Sequence, residues 1–477
     1  MRIAVALLLL FLFAVYASQI TAGMDALGTD WAMYVMHARN LVTGHPYAET
    51  GYIVQPEVVL HGAATYPSGY PLLLAPFYAV FGFNMRVFKL LNDVLLILSL
   101  WPVFLFARRT LAPVASLLLI VAAGCSLSYM GLEDMIGSDA PYQLWSFLVL
   151  VLILQIYDRG WNQTAPWKWG AVSGLLIAGA YLIRPIGVAL LIAVAAMEIV
   201  RRRRPTAFLG AALASFVPLV LLNNLLFHKD AGYSSQFVLS PLSMVSHLLT
   251  YLKYLSDVFA SDASHWFRYV LWLPSLLLAL AGVVNRVRRG VTVAEWYFLA
   301  VLGILMAYWM PNSRYLLPVM PIYMVYILEG FEALRARLAP RFVVPVTAAA
   351  IALWLFAPAA NLALTRSDPN DTLITLPLYE QMCQAVEENT GPRELLIFWS
   401  PRVLALSTGR HASTYPATTP ERLAAYLQRV RPGYIVIDKN WPDDQQYLAP
   451  ALAAVPFRLN AIFQNGRFRV LRVETSQ

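Results

Sequence analysis

Long apolar segments alternate with shorter polar segments along most of the 477-residue chain. Eleven of the apolar segments are about 16–21 residues long, close to the length that a helix needs to cross a hydrocarbon core. The pattern therefore predicts eleven transmembrane helices, at residues 3–20, 87–107, 111–130, 141–157, 168–184, 185–200, 207–227, 267–285, 293–311, 315–332 and 342–360.

Composition agrees with a membrane protein and excludes two other classes. Hydrophobic residues make up 59% of the chain and charged residues only 13%, whereas a soluble domain carries about 25% charged residues. A single soluble domain and a disordered chain are therefore excluded. The net charge is +8. The basic residues cluster beside apolar segments, which is typical of orientation in a membrane and does not predict nucleic-acid binding.

The basic residues also predict which way the spans run. The short outer loops carry few of them, chiefly Arg184 and Arg314, when the N-terminus is placed in the cytoplasm. The positive-inside rule favours this orientation. It places the following residues inside: Arg2, Arg108, Arg109, Arg159, Lys168, Arg201, Arg202, Arg203, Arg204, Arg286, Arg288, Arg289, Arg335, Arg337 and Arg341.

Two segments leave alternatives open. The apolar run up to Tyr16 is also typical of a cleavable signal peptide, and cleavage would leave the next loop on the outer side. The apolar segment 70–83 is only about 14 residues long, which is short for a span. Because it also contains Pro71 and Pro76, we expect it at the outer interface.

Three polar regions lie between or after the spans: a first outer loop (20–84), a second outer loop (228–266) and a C-terminal region (361–477). The C-terminal region alternates strands with helices, which predicts a small α/β domain outside the membrane. We expect its strands at 394–399, 434–438, 461–464 and 468–473, and its helices at 379–389, 420–430 and 445–453. The predicted fold class is a polytopic α-helical membrane protein, with a transmembrane domain at 1–360 and this domain at 361–477.

In the first outer loop, Thr29 and Asp30 precede a short amphipathic helix. About 12 residues are too few to cross a bilayer, so we expect this helix to lie on the membrane surface. Asp30 has two compatible interpretations: it caps the helix, and it is a carboxylate held at the mouth of a membrane site. The apolar face of the helix consists of Trp31, Tyr34, Val35, Ala38, Leu41 and Val42.

A second acidic segment contains Glu133, Asp134 and Asp139 and faces the same predicted side as Asp30. Asp139 is another N-cap candidate, with Pro141 in the first turn of the helix that follows. The alternative for the other two acids is a solvated loop. The segment therefore adds candidate carboxylates to the outer face without fixing their role.

Arginines at the outer helix ends are candidate phosphate ligands. Arg184 and Arg314 lie where few arginines are expected, and a guanidinium can hold a phosphate by two hydrogen bonds. Contact with lipid headgroups is the alternative. Arg86 and Lys89 enter the second span from the same side and either add charge or anchor the helix. Asp93, deeper in that span, is a functional candidate or pairs with Lys89 four residues earlier.

Several common functional motifs do not occur in the sequence. It has no Walker loop, no GxGxxG and no HExxH, which disfavours a nucleotide-driven pump. Cys125 and Cys383 are far apart and provide no disulfide framework or metal cluster. His37, His45 and His61 share the first loop, but their spacing matches no metal-binding motif. We therefore predict no metal centre, and a divalent ion bridging Asp30 or Asp139 to a phosphate is the one open option.

The order of these motifs resembles the GT-C superfamily of membrane glycosyltransferases, in particular the branch with protein O-mannosyltransferases and the bacterial aminoarabinose transferase. The resemblance covers the whole membrane part, and the C-terminal region is similar to the variable periplasmic domain of that family. It rests on four segments: Asp30 with Tyr34, Ala38, Leu41 and Gly44; Tyr66-Pro67-Ser68-Gly69-Tyr70-Pro71; Ser138-Asp139-Ala140-Pro141; and Ser313-Arg314-Tyr315-Leu316-Leu317-Pro318 with Pro321.

The resemblance implies an inverting transfer of a sugar from a polyprenyl-phosphate donor to an envelope lipid, polysaccharide or protein on the outer face, without nucleotide or required cofactor. Asp30 would take or direct the proton of the acceptor, and Asp139 would help to position acceptor or sugar. The expected location is the bacterial inner membrane. The implied donor-phosphate residues are Arg184, Arg314, Tyr315, Arg86 and Lys89, and the implied acceptor or sugar residues are Tyr34, His61, Tyr66 and Glu133.

The chain departs from that family in one place. Many relatives carry Asp-Glu in the first loop, whereas Trp31 follows Asp30 here, so Asp25 or an acid of the second segment would have to replace the second carboxylate. Two other functions remain open. One is a transporter or lipid flippase, although the acids gather in outer loops and no internal repeat occurs. The other is a scaffold that kept the fold without the chemistry.

Overall fold

The computed structural model describes residues 1–24, 29–58, 61–227, 236–260, 266–364 and 372–475. Its first helices are α1 (Arg2–Ser18), α2 (Asp30–Thr43), α3 (Gly69–Phe81), α4 (Met85–Ala107), α5 (Pro113–Gly124) and α6 (Leu127–Met130). They are followed by α7 (Asp139–Asp158), α8 (Trp161–Thr164), α9 (Pro166–Ile183), α10 (Val188–Arg202), α11 (Ala207–Leu226) and α12 (Pro241–Tyr254). The last long apolar helices are α13 (Phe267–Arg289), α14 (Val293–Ala307), α15 (Met320–Arg335) and α16 (Pro340–Leu364).

The C-terminal region consists of short helices and strands. The helices are α17 (Pro377–Asn389), α18 (Pro401–Thr408), α19 (Pro420–Val430) and α20 (Ala449–Ala454). The strands are β1 (Leu395–Ile397), β2 (His411–Ser413), β3 (Tyr434–Asp438), β4 (Phe457–Gln464) and β5 (Phe468–Thr475). The sequence pattern predicted most of these elements, but it missed α18 and β2 and began β4 four residues too late.

A helix overlaps each of the eleven predicted spans. Within the described residues, five helices are long and apolar enough to cross a membrane: α4, α7, α11, α13 and α16. Together with the apolar composition, they make the chain an integral membrane protein. The number of crossings remains a prediction.

Two predicted spans differ from the helices found. The segment 111–130 is divided into α5 and α6, because the backbone leaves the helix at Ser126, whose side chain accepts a hydrogen bond from the Tyr129 amide and starts α6. The segment 315–332 begins with a 3₁₀ turn, Ser313–Leu316, and the α-helix starts only at Met320. Leu317 still has a helical conformation, with φ −44° and ψ −48°, and the backbone departs from regular helix geometry at Val319, with φ −112° and ψ −11°, just before Met320.

The chain forms two compact units. The helical unit comprises Met1–Ile20, Val87–Leu225 and Tyr233–Ser367, and the loop–sheet unit comprises Thr21–Arg86, Leu226–Gly232 and Asp368–Gln477. This division differs from the predicted boundary between residues 360 and 361, because the first outer loop groups with the C-terminal region.

In the helical unit, α13 and α15 pack with their backbones in close approach. A Cβ added at Gly330 would lie 1.9 Å from the Leu278 carbonyl oxygen, and a Cβ added at Gly282 would lie 2.1 Å from the Tyr326 carbonyl oxygen. Small residues allow such approach, and in a bilayer this packing is a main source of helix association. The two glycines therefore fix the α13–α15 contact.

Replacing Gly330 with valine should destabilise the helical unit by at least about 2 kcal/mol, because overpacking must push the two backbones apart. We expect a lower midpoint for thermal loss of the monodisperse peak in detergent. The matched control is Gly303→Val on α14, where an added Cβ would meet nothing within 4 Å. Equal midpoints for the two variants would contradict this packing.

The loop–sheet unit contains a mixed five-stranded sheet in the order β2-β1-β3-β5-β4. Strands β2, β1 and β3 are parallel, with Leu395 opposite His411 and Leu396 opposite Tyr434. Strand β5 pairs antiparallel with both β3 and β4. Helix α19 covers part of this sheet with Leu423 and Leu427, both fully buried. Each buried leucine contributes roughly 2 kcal/mol to the free energy of unfolding.

The first outer loop adds backbone pairing at the free edge of β2. Tyr52 forms a parallel bridge with Ala412. The Ile53 amide donates to the Ala412 carbonyl at 2.8 Å, and the Ala412 amide donates to the Gly51 carbonyl at 2.9 Å. Gly51 has φ +81°, and a Cβ there would lie 2.9 Å from the Arg410 carbonyl oxygen, so only glycine allows this approach. The sheet thus holds the loop that carries Asp30.

Candidate active site

Asp30 is the first residue of α2, and its carboxylate does not cap the helix. The N-cap residue is Thr29, whose side chain makes no capping hydrogen bond. The N-cap interpretation of Asp30 is therefore wrong, although a carboxylate in the first turn still benefits from the helix dipole. Asp30 Oδ1 instead accepts hydrogen bonds from the Tyr66 hydroxyl at 2.5 Å and from Arg402 Nη1 at 3.0 Å. The Asp30 side chain is 40% exposed.

Arg402 comes from the start of α18 in the C-terminal region and is 2% exposed. Its Nη2 donates to the His61 carbonyl at 2.8 Å. Its guanidinium lies 5.1 Å from the ring of Tyr52 and 5.3 Å from the ring of Tyr66. Burial opposes its charge, but Tyr66 and Asp30 outweigh that effect and raise the pKa of Arg402, so it is a permanent buried cation. We call Asp30, His61, Tyr66 and Arg402 the Asp30 centre.

Aromatic side chains hold Tyr66 in place. The ring of Tyr34, one turn after Asp30 on α2, meets the ring of Tyr66 edge-on at 5.5 Å and that of Tyr70 at 5.0 Å. The Tyr47 hydroxyl donates to the Tyr66 and Pro67 carbonyls at 3.1 and 3.0 Å. Edge-to-face rings favour one geometry, so the Tyr66 hydroxyl is fixed against the Asp30 carboxylate.

His61 enters the Asp30 centre through its carbonyl, and its ring is half-buried. Burial lowers the pKa of the His61 imidazole, and Arg402 lowers it further against the opposing effect of Asp30. The ring is therefore neutral at pH 7. In this form it can donate or accept a hydrogen bond with a substrate, but it does not carry a positive charge.

Replacing Tyr66 with phenylalanine should lower kcat by about 10–100-fold, because the carboxylate loses one charge-assisted hydrogen bond worth about 1.5–3 kcal/mol while the ring packing stays. Steady-state transfer assays with purified protein would measure this. Tyr78→Phe, on α3 in the same unit, is the control. A Tyr66 variant with the kcat of wild type would show that the hydroxyl does not support the carboxylate.

A second cluster lies in the helical unit, where three helix ends meet. Asp139 starts α7, Arg184 follows the end of α9, and Arg314 lies in the 3₁₀ turn before α15. Arg184 Nη1 forms an ion pair with Asp139 Oδ1. The guanidinium groups of Arg184 and Arg314 lie 5.6 and 5.5 Å from the ring of Tyr315. We call these four residues the Arg184 cluster.

The Arg184 cluster is suited to an anion. Two guanidinium groups gather at one tyrosine ring, and Asp139 pairs with that of Arg184. The side chains of Arg184 and Asp139 are 18% and 9% exposed, so water screens their charges weakly. The N-cap interpretation of Asp139 is also wrong, since Ser138 occupies that position and makes no side-chain cap.

A third polar cluster surrounds Lys89 at the start of α4. Lys89 Nζ pairs with Asp134 Oδ1 at 2.6 Å, and not with Asp93 as the helical spacing suggested. Both Asp93 carboxylate oxygens are buried without a hydrogen-bond partner among the described residues. Glu133 lies in the loop before α7. Burial, together with Asp93 and Asp134, raises the pKa of Glu133 to about 8, so it is protonated at neutral pH.

The other sequence candidates lie apart from these contacts or outside the described residues. Arg86 is exposed on the first turn of α4 and belongs to the loop–sheet unit. Asp25 lies outside the described residues. In the part of the chain that the structure describes, no three His, Cys, Asp or Glu side chains form a group that could hold a metal ion. The roles of all these candidates stay predictions.

The sequence matches no protein-family model and no curated protein, but the structure resembles solved glycosyltransferases. ArnT from Cupriavidus metallidurans bound to undecaprenyl phosphate superposes with a TM-score of 0.55 and 13% identity, covering 98% of this chain and 97% of ArnT. The oligosaccharyltransferase AglB from Archaeoglobus fulgidus, in complex with an inhibitory peptide and a dolichol-phosphate, superposes with a TM-score of 0.57 and 13% identity, covering 92% of this chain and 69% of AglB. Mycobacterial arabinofuranosyltransferase AftD superposes with a TM-score of 0.57 and 17% identity, covering 100% of this chain and 40% of AftD.

These three proteins are GT-C glycosyltransferases. The chain has the GT-C fold. The resemblance seen in the sequence motifs is therefore confirmed, and it extends over the C-terminal region as well as the membrane part, because the match to ArnT covers nearly all of both chains.

Within the GT-C fold of this chain, Arg402 is the site residue that the sequence did not reveal. An arginine in a polar C-terminal region is normally expected at the surface. One signal could have pointed to it: Arg402 lies in the first turn of the helix that comes shortly after β1, and segments that follow parallel strands are where α/β folds bind ligands.

Proposed function

We propose that the protein is an inverting glycosyltransferase that moves a sugar from a polyprenyl phosphate to a hydroxyl or phosphate acceptor on the outer face of the membrane. The observation that carries the proposal is the GT-C fold with Asp30 at the start of the first-loop helix α2, partly exposed and anchored by Tyr66 and Arg402. ArnT with undecaprenyl phosphate and AglB with a dolichol-phosphate support a lipid-phosphate donor.

The chemistry assigns one role to each charged cluster. The acceptor oxygen attacks the anomeric carbon of the sugar, the carbon–oxygen bond to the phosphate breaks, and polyprenyl phosphate leaves with the bonding electrons. Asp30 is the general base that takes the acceptor proton. Arg184 and Arg314 stabilise the negative charge that grows on the leaving phosphate, Asp139 orients Arg184 and Tyr315 orients both arginines.

Several finer assignments belong to the same proposal. Lys89 and Arg86 add positive charge for the donor, while Tyr34, His61 and Glu133 contact acceptor or sugar. The lipid phosphate is the leaving group, so no nucleotide takes part, and no step needs a bound cofactor. The acceptor is an envelope lipid, a polysaccharide or a protein, and the protein lies in the bacterial inner membrane with the loop–sheet unit outside.

Sealed proteoliposomes separate this function from transport. Purified protein would be reconstituted with a panel of polyprenyl-phosphate sugars in the bilayer and with candidate acceptors outside. A glycosyltransferase produces a new glycosidic bond and free polyprenyl phosphate, both visible by mass spectrometry. A transporter or flippase moves the intact donor across the bilayer, and that result without covalent product would overturn the proposal.

A further inference from the structure

We propose that Arg402 is the residue that positions Asp30 for the reaction, so that the C-terminal region takes part in catalysis through this one side chain. The inference rests on the proposed function, since it concerns the same carboxylate. Arg402 is 2% exposed and acts through Asp30, so it is a positioning residue.

The contacts of Arg402 explain how a buried cation is tolerated. Removing a guanidinium from water costs several kcal/mol unless hydrogen bonds and an opposite charge compensate. Here Asp30 supplies the opposite charge, and the His61 carbonyl accepts a second hydrogen bond. The ring centroids of Tyr52 and Tyr66 lie 5.1 and 5.3 Å from the guanidinium carbon. Such a cation is held in one place.

The position of Arg402 is fixed by the sheet. Helix α18 starts at Pro401, with only three residues between it and the end of β1, and proline at this position pre-sets the backbone for the helix. The neighbouring strand β2 pairs through Ala412 with the first-loop backbone at Gly51 and Ile53. The loop and the arginine are therefore held by the same sheet, which fixes their separation.

Burial separates the roles of the two partners. Asp30 is 40% exposed, whereas Arg402 is 2% exposed, so an acceptor can reach the carboxylate and not the guanidinium. Arg402 Nη1 and the Tyr66 hydroxyl both bind Oδ1. This arrangement orients the carboxylate from its buried side, and a displacement of about 1 Å at a reacting group can cost about 100-fold in rate.

The test compares Arg402→Met with a matched control in the full-length protein. Arg429 pairs with Glu57 at 2.6 Å, and these side chains are 50% and 44% exposed. This pair also joins the C-terminal region to the first loop, so Arg429→Met removes a similar link away from Asp30. We expect Arg402→Met to lower kcat about 100-fold with KM for the donor within threefold, and Arg429→Met to leave kcat unchanged.

Chemical rescue distinguishes positioning from a structural role. Arg402→Ala leaves a guanidinium-sized space beside Asp30. Added guanidinium should therefore raise the kcat of this variant at least tenfold. Tetramethylammonium, which has no hydrogen-bond donor, should not. Thermal midpoints of all variants are recorded beside the kinetics.

Each outcome decides one question. Wild-type protein that transfers no sugar from any donor would overturn the proposed function, and this inference with it. Active wild type with an Arg402→Met variant of the same kcat would overturn the positioning role alone. The positioning role would also be overturned if guanidinium did not restore kcat and the loss of kcat in the variants paralleled the fall in their thermal midpoints.

Discussion

Replacing Asp30 with asparagine is expected to lower kcat for sugar transfer by about 10²–10⁴-fold, because a positioned general base contributes that much and the amide cannot accept the proton. The change is nearly isosteric, so Tyr66 and Arg402 can still donate to the side-chain oxygen. The rate is measured by quantifying the released polyprenyl phosphate by mass spectrometry at successive time points.

A matched control separates this effect from a loss of charge in the first loop. Glu49 is exposed in the same loop, and Glu49→Gln removes one negative charge without touching the Asp30 centre. We expect this variant to keep the rate of wild type. An Asp30→Asn variant with normal elution in detergent and more than a third of the wild-type kcat would refute the assignment of Asp30 as base.

Replacing Arg184 with glutamine should reduce kcat/KM for the donor by about 10²–10³-fold, the usual cost of removing one group that stabilises a developing oxyanion. The loss has two sources: the leaving phosphate loses a cation, and Asp139 keeps a negative charge that Arg184 no longer compensates. Donor-concentration series at saturating acceptor measure the effect. Arg184→Lys should recover part of the loss, since lysine keeps the charge but not the paired hydrogen bonds.

The control for Arg184 is an ion pair at a predicted cytoplasmic end. Arg109 pairs with Asp158, and these side chains are 25% and 56% exposed. Arg109→Gln should leave kcat/KM within twofold of wild type, because an exposed pair contributes at most about 1 kcal/mol. If both substitutions have the same effect, the Arg184 cluster does not bind the donor phosphate.

Helices were predictable from sequence because their signals are local. Apolar runs of span length located every long helix, and strand β3 and helix α19 have the residues expected from their patterns. Failures occurred where short elements depend on partners distant in sequence. Strand β2 has three residues, His411–Ser413, and it exists because β1 and the first loop pair with it on either side.

The candidate site was predictable only in part, for the same reason. Asp30, Asp139, Arg184 and Arg314 were identified from their places at segment ends, and Tyr66 and Tyr315 from the family resemblance. The structure gathers these six residues into two clusters. Arg402 is 372 positions from Asp30 along the chain, and its place after β1 does not identify Asp30 as its partner. For Lys89 the local sequence suggested a partner that is wrong: the helical spacing indicated Asp93 one turn away, but the partner in the structure is the distant Asp134.

The grouping of the first outer loop with the C-terminal region has a functional consequence. A variable domain that only covered a membrane site would leave the loop intact when removed. Here the edge of β2 pairs with Gly51 and Ile53, and Arg402 binds Asp30. The C-terminal region is therefore part of the structure that presents the carboxylate, which is why the buried Arg402 is the informative position.

The most direct test of the central claim is cleavage of the donor in detergent micelles, where no compartments exist and transport has no readout. Purified wild-type protein is incubated with individual polyprenyl-phosphate sugars and acceptor extracts, and free polyprenyl phosphate is quantified by mass spectrometry. The account predicts release from at least one donor, together with a glycosylated acceptor in equal amount. The account would be contradicted if every donor stayed intact and the same monodisperse protein moved those donors across the bilayer of sealed vesicles.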